Sequence, residues 1–249
     1  TPNPAHQFAE ESGLKVLTFS KLDPSAASCI KDQIPSDGLG FIFAYGKIIP
    51  EEIIELFKNG ILNIHFSLLP EYPGASPIQQ ALLDNKKKTG YSIFKITKLL
   101  DQGLILAQGD VQISPVDNFE SLRSKIIQKS LEILPAIIDK YLKSEAKLTE
   151  MPALNKESFT HRIKKSDGLL TDADTAQSAY NKTRAFSRWP KTYFEIEGKR
   201  LILHQASLED EQLVIEKIQP EGKKPMNFDQ FKNGYQTLLT KLPKFVKVN

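Results

Sequence analysis

The stretch that most narrows the choice of fold runs from Gly40 to His65, where two apolar strand candidates flank a helix start. Gly40 to Ala44 reads Gly-Phe-Ile-Phe-Ala, apolar throughout, as a strand buried on both faces must be. Pro50-Glu51-Glu52 then opens a helix with a preset φ and two acids at its positive end, and Asn59-Gly60 closes it. Ile61 to His65 follows as the next strand. This order predicts a right-handed parallel crossover in an α/β sheet. Ligands of such sheets sit beyond the carboxyl ends of the strands, so Tyr45-Gly46 and Asn63 to Pro70 are pocket candidates.

Asn63 and His65 are two positions apart at a strand end, which puts both side chains on one side of the sheet. An amide and an imidazole side by side can donate to one oxygen as it becomes anionic, and acyl transfer needs that arrangement.

Around this unit the chain reads as follows. Ala5 to Ser12 has a helical pattern stopped by Gly13, and Leu14 to Phe19 reads as a short strand. Ser76-Pro77 opens a helix, with Ser as N-cap and Pro in the first turn. Tyr91 to Ile96, Leu104 to Gln108 and Val111 to Ile113 are strand candidates, and Leu100-Asp101-Gln102-Gly103 is a turn carrying an acid. Asn118 to Leu142 has the helical period. Residues 143–157 are polar and aperiodic, as a linker is. Asp174 to Arg184 is helical, and Tyr193 to Ile196, Arg200 to His204 and Leu213 to Ile218 alternate like antiparallel strands, with Glu197-Gly198 as a tight turn. The expected organisation is an α/β domain over 1–142, a linker over 143–157 and a small β domain over 158–249. An α/β domain normally opens on a strand, so a chain that opens on a helix suggests either a different fold or a missing beginning.

One cysteine, Cys29, excludes an intrachain disulfide framework and a multi-cysteine zinc site, and suggests a packed thiol in a reducing, cytoplasmic setting. No apolar run is long enough for a membrane helix. The net charge of +3 is uneven, roughly +5 after residue 154 and roughly −2 before it. That skew suits either a polyanion or a plain lysine-rich surface.

Asn63-Ile64-His65, Ser67-Leu68-Leu69-Pro70, Gly74 to Gln79, Thr89-Gly90 and Leu100 to Gly103 together resemble the folate-dependent formyltransferases, most of all the branch that acts on methionyl-tRNA. The resemblance extends through Arg184-Ala185-Phe186, Trp189-Pro190, Glu197 to Arg200 and Gly222 to Met226, which match the second domain of that branch. It implies a Rossmann-like domain, incomplete at its start, followed by an OB-like barrel that looks shortened between His204 and Gly222. Phe66, Glu71 and Pro73 depart from the family pattern.

The resemblance further implies formyl transfer from 10-formyltetrahydrofolate to the amino group of initiator methionyl-tRNA, without a metal, by a monomer. Asn63, His65 and Asp101 would be catalytic, with Asp101 stabilising the charged imidazole. Ser67, Leu68, Leu69, Pro70, Tyr45 and Gly46 would border the folate, together with backbone groups of Ile93 to Leu100. Lys164, Lys165, Arg184, Arg188, Lys199, Arg200, Lys223 and Lys224 are the candidates for tRNA phosphates. Trp189 with Phe186 and Tyr193 is either a base-stacking platform or interdomain packing. The competing readings are a formyltransferase for a nucleotide-linked amino sugar and an inactive folate- or RNA-binding fragment.

Overall fold

The computed structural model describes residues 4–248, excepting the side chain of Lys156. Two helices come first, α1 (Pro4–Glu11) and α2 (Pro24–Lys31). Asp23 caps α2 by accepting the amides of Ser25 and Ala26. Cys29 lies on this helix and is exposed rather than packed.

β1 (Gly40–Ile42), α3 (Glu51–Ile54) and β2 (Ile61–His65) form the expected crossover, with Gly40 parallel to Ile61. α4 (Pro77–Leu83) leads to β3 (Lys88–Ile96) and β4 (Gly103–Gln112), which add antiparallel strands. The two strand candidates between Leu104 and Ile113 are one strand. Gly109 faces Tyr91 across the ladder, and a Cβ there would meet the Tyr91 hydroxyl oxygen at 2.3 Å, so this glycine marks a close approach, not a break. α5 (Phe119–Leu142) is capped by Asn118, and β5 (Thr149–Glu150) closes the order β1-β2-β3-β4-β5. The stretch expected as a linker therefore contributes a strand, because β4 offers it an edge at Leu104 and Ile105.

Leu14 to Phe19 is not a strand. Among the described residues β1 pairs with β2 alone; residues 15–19 line a cavity with Gly40 to Phe43 instead of joining the free edge of β1, and Leu14 and Leu17 stay exposed.

α6 (Ala176–Ala185) precedes a second sheet of β6 (Thr192–Ile196), β7 (Lys199–Glu209) and β8 (Gln212–Pro220), a meander. Glu197 and Gly198 both have positive φ, 53° and 71°, as the two central residues of a type I′ hairpin turn do. β9 (Met226–Asn227) and β10 (Val246–Lys247) pair with β8, and α7 (Phe228–Gly234) and α8 (Gln236–Leu239) lie between them in the chain. Register shifts around Gln205 bend β7 against β8. β6 and β10 end the sheet without pairing to each other among the described residues, so it is curled rather than closed.

The two halves share a core. Ile64, Ile78, Leu82, Ile93, Leu122 and Ile126 are buried together, and the same cluster takes Ile163, Ala185 and Phe186 from beyond the linker stretch. Asn181 Nδ2 donates to the Leu83 carbonyl at 3.0 Å. Arg184 is only 6% exposed and donates to Asn181 Oδ1 at 2.7 Å, Asn85 Oδ1 at 3.3 Å and the Asp117 carbonyl at 3.4 Å. Burial lowers its pKa, and the negative potential of Tyr180 and Asp117 offsets part of that.

Asp117 holds the start of α5. Burial alone would raise its pKa, but hydrogen bonds from Lys125 at 2.6 Å, the Ser114 amide at 2.7 Å and Ser121 at 2.8 Å outweigh that, and the carboxyl stays below its ordinary value. The stability from a carboxyl so lowered is complete above the unfolded value, near pH 4, and is lost as pH falls through the folded one. Asp117→Asn should cost about 1–2 kcal/mol in urea unfolding at pH 7. The gap to the parent should close in acid.

Candidate active site

Three segments meet at the carboxyl end of β2: the strand end itself, the loop at 72–77 and the turn at 97–101. They enclose a cavity of about 490 Å³, lined on one side by Asn63, His65, Gly74 and Asp101. Ile42, Ile96, Leu99 and Leu100 give it apolar walls. Asn63 and His65, two apart on the strand, share one side of it, and Ile64 between them joins the core while also touching the cavity. The Asn63 amide makes no hydrogen bond within the described residues and opens onto the cavity.

His65 is 7% exposed, and its Nε2 lies 2.8 Å from the Tyr72 carbonyl oxygen. A carbonyl only accepts, so Nε2 carries the proton and Nδ1 is the nitrogen turned toward Asp101. Nδ1 and Asp101 Oδ1 are 3.8 Å apart, an ion-pair separation too long for a direct hydrogen bond. Asp101 Oδ2 accepts the Gly74 amide at 2.7 Å, which fixes the carboxylate plane. Asp101 itself has φ 49°, a left-handed conformation that Asp tolerates better than most residues.

The carbonyl that orients His65 belongs to a residue under strain. Tyr72 has φ 53°, costly for a bulky side chain, and its hydroxyl is tied to Asp84 at 2.7 Å. Burial, followed by that hydrogen bond and the Asp84 charge, pushes its phenol well above the usual range. Nothing in the sequence pattern singles out Tyr72, because its contribution is a backbone oxygen.

The residues expected around a folate divide. Tyr45 and Gly46 line the cavity, as do Phe94 and Ile96 to Leu100. Ser67, Leu68, Leu69 and Pro70 are not among its lining, and hydrogen bonds at Ser67 and Leu69 brace the loop. Ser67 Oγ donates to the Glu71 carbonyl at 2.5 Å, and Ser92 Oγ donates to the Ser67 carbonyl at 2.7 Å while accepting the Leu69 amide at 2.9 Å. Leu69 is buried. Phe66 does reach the cavity and packs edge-on against Phe43 at 5.6 Å. Among the described residues no group of three or more His, Cys, Asp or Glu side chains is placed to hold a metal ion.

Of the basic candidates, Lys164, Lys165, Arg188, Lys199, Lys223 and Lys224 are exposed. Arg184 is not a surface cation: its buried guanidinium joins the two halves and cannot reach a phosphate. Arg200 is half-buried, with its guanidinium over the Tyr193 ring at 4.2 Å. The aromatic trio splits likewise, since Phe186 and Tyr193 are packed whereas Trp189 is 54% exposed.

Comparison with known proteins gives the site a family. Residues 21–138 match the model of the formyl transferases, and residues 162–213 match that of the formyl transferase C-terminal domain. A methionyl-tRNA formyltransferase of Thermus thermophilus is 32% identical over 225 residues, 89% of this chain and 72% of that protein. Among solved structures, a methionyl-tRNA formyltransferase from Clostridium thermocellum shares the fold with TM-score 0.62 at 19% identity, over 87% of this chain and 92% of that one. A 4-N formyltransferase from Francisella tularensis has TM-score 0.62 at 21% identity, covering 78% of each chain. The chain belongs to the formyl transferase family, with both its catalytic fold and its C-terminal domain, and is a formyl-transferring enzyme.

Proposed function

We propose that the enzyme moves a formyl group from 10-formyltetrahydrofolate to the amino group of methionyl-tRNA in the cytoplasm. The observation that carries the reaction is the convergence of Asn63, His65 and Asp101 on one cavity, with the Asn63 amide unengaged. The acceptor rests on the identity to the Thermus protein over most of both chains. Likeness of fold does not choose, because the Clostridium and Francisella structures have the same TM-score.

The cavity suits the donor. Its volume is within the range of small-molecule sites, and apolar walls from Ile42, Ile96, Leu99 and Leu100 fit a flat heteroaromatic ring next to the polar end. The folate supplies a formyl carbon on a nitrogen that can leave. When a neutral amine attacks that carbon, the oxygen gains negative charge, and Asn63 donates an amide hydrogen to it. His65, held at Nε2 by the Tyr72 carbonyl, turns Nδ1 to the site, and a proton carried there goes to the departing nitrogen. Asp101 offsets that charge and takes the proton shed by the amine.

For the acceptor, the exposed Lys164, Lys165, Arg188, Lys199, Lys223 and Lys224 supply charge for phosphates, and exposed Trp189 beside Arg188 supplies a stacking face. The deciding assay offers 10-formyltetrahydrofolate with either charged initiator tRNA or a nucleotide-linked amino sugar. Formylation of the tRNA, with affinity falling as salt rises, is the expected result. Transfer to the sugar alone would overturn the acceptor assignment.

A further inference from the structure

We propose that Thr160 is a positioning residue through which the chain after residue 157 sets the geometry of His65 and Asp101. It is 9% exposed and grips one loop. Its N–H donates to the Pro73 carbonyl at 2.6 Å, and its hydroxyl donates to the same oxygen at 2.9 Å. Its carbonyl accepts the Ala75 amide at 3.2 Å, and its hydroxyl oxygen accepts the Ser76 amide at 3.0 Å. The loop is therefore held on both sides of Gly74 by one residue.

Two other polar groups of that loop reach the site. Gly74 N–H holds Asp101 Oδ2, and the Tyr72 carbonyl holds His65 Nε2. Thr160 touches neither reacting side chain, so it acts through the loop. Its hydroxyl is both donor and acceptor at once, which valine, of nearly the same shape, cannot be. Loss of the hydroxyl leaves the buried Ser76 amide without its partner, and the loop must move to satisfy it.

This inference rests on the proposed roles of His65 and Asp101, and its test separates the two. The experiment compares parent, Thr160→Val and Thr160→Ser full chains by imidazole ¹⁵N–¹H spectra and by kinetics, with His65→Asn used to assign the His65 signal among the four histidines. The parent should show His65 protonated at Nε2. In Thr160→Val that signal should shift while those of His6 and His204 stay. Turnover should fall about tenfold, with donor KM within about twofold, as for a displaced but intact site. Thr160→Ser should restore both. If the valine variant does not fold, Thr160→Ala gives the same readout with space to spare. An unmoved His65 signal in a folded variant overturns the proposal, and so does a serine variant that behaves like valine. A parent without transfer to either acceptor sinks the proposed reaction, while the spectra still decide on Thr160.

Discussion

Replacing Asn63 by alanine is expected to lower the single-turnover rate of formyl transfer by about 10²–10³-fold, which is ~3–4 kcal/mol in the barrier, at nearly unchanged donor affinity. The amide has no structural partner to lose, since it makes no hydrogen bond within the described residues. Its removal therefore costs the fold little and the developing oxyanion much. An Asn63→Ala enzyme with ordinary turnover and a lower melting temperature would assign the residue to the fold instead.

The second large effect is expected at Gly74, through the backbone. Gly74 has φ 102°, and a Cβ there would meet the Thr160 carbonyl oxygen at 2.4 Å and the Thr160 nitrogen at 2.9 Å. Both obstacles are main chain and cannot rotate away. Gly74→Ala should destabilise the protein by about 2–4 kcal/mol, from the forbidden φ and the displaced strap together. Activity should fall further than stability, because the Gly74 amide fixes Asp101. Denaturant unfolding and turnover measured on the same samples check both. Unchanged values would mean the loop has slack that its hydrogen bonds do not suggest.

What could be read from the sequence follows physical lines. The parallel crossover and the placement of Asn63 and His65 were legible because strand alternation and helix-start residues are local signals. The hairpin at Glu197-Gly198 was legible for the same reason. Leu14 to Phe19 misled, since an apolar run becomes a strand only where it pairs, and this one does not join the open edge of β1. The division of residues 104–113 into two strand candidates misled too, because the glycine between them, Gly109, lies within one strand against a tyrosine of its neighbour.

Arg184 and Thr160 could not be read at all. Arg184 is one basic residue among many until α6 is laid against α4 and α5, and then its guanidinium is seen to serve the junction. Thr160 meets its loop from more than eighty residues away in the chain. The loop Ser67 to Pro70 was expected beside the donor from the family resemblance alone, and the hydrogen bonds that brace it come from residues distant in sequence as well as near, which no local pattern shows.

Whether His65 and Asp101 act as one unit beside Asn63 is decided by single-turnover transfer in four proteins: parent, His65→Asn, Asp101→Asn and the double variant. Groups that share one function are non-additive, so the double variant should be no slower than about twofold below the worse single variant. If the two losses multiply, or Asp101→Asn turns over like the parent, the residues do not work as a pair and the account of the site is wrong.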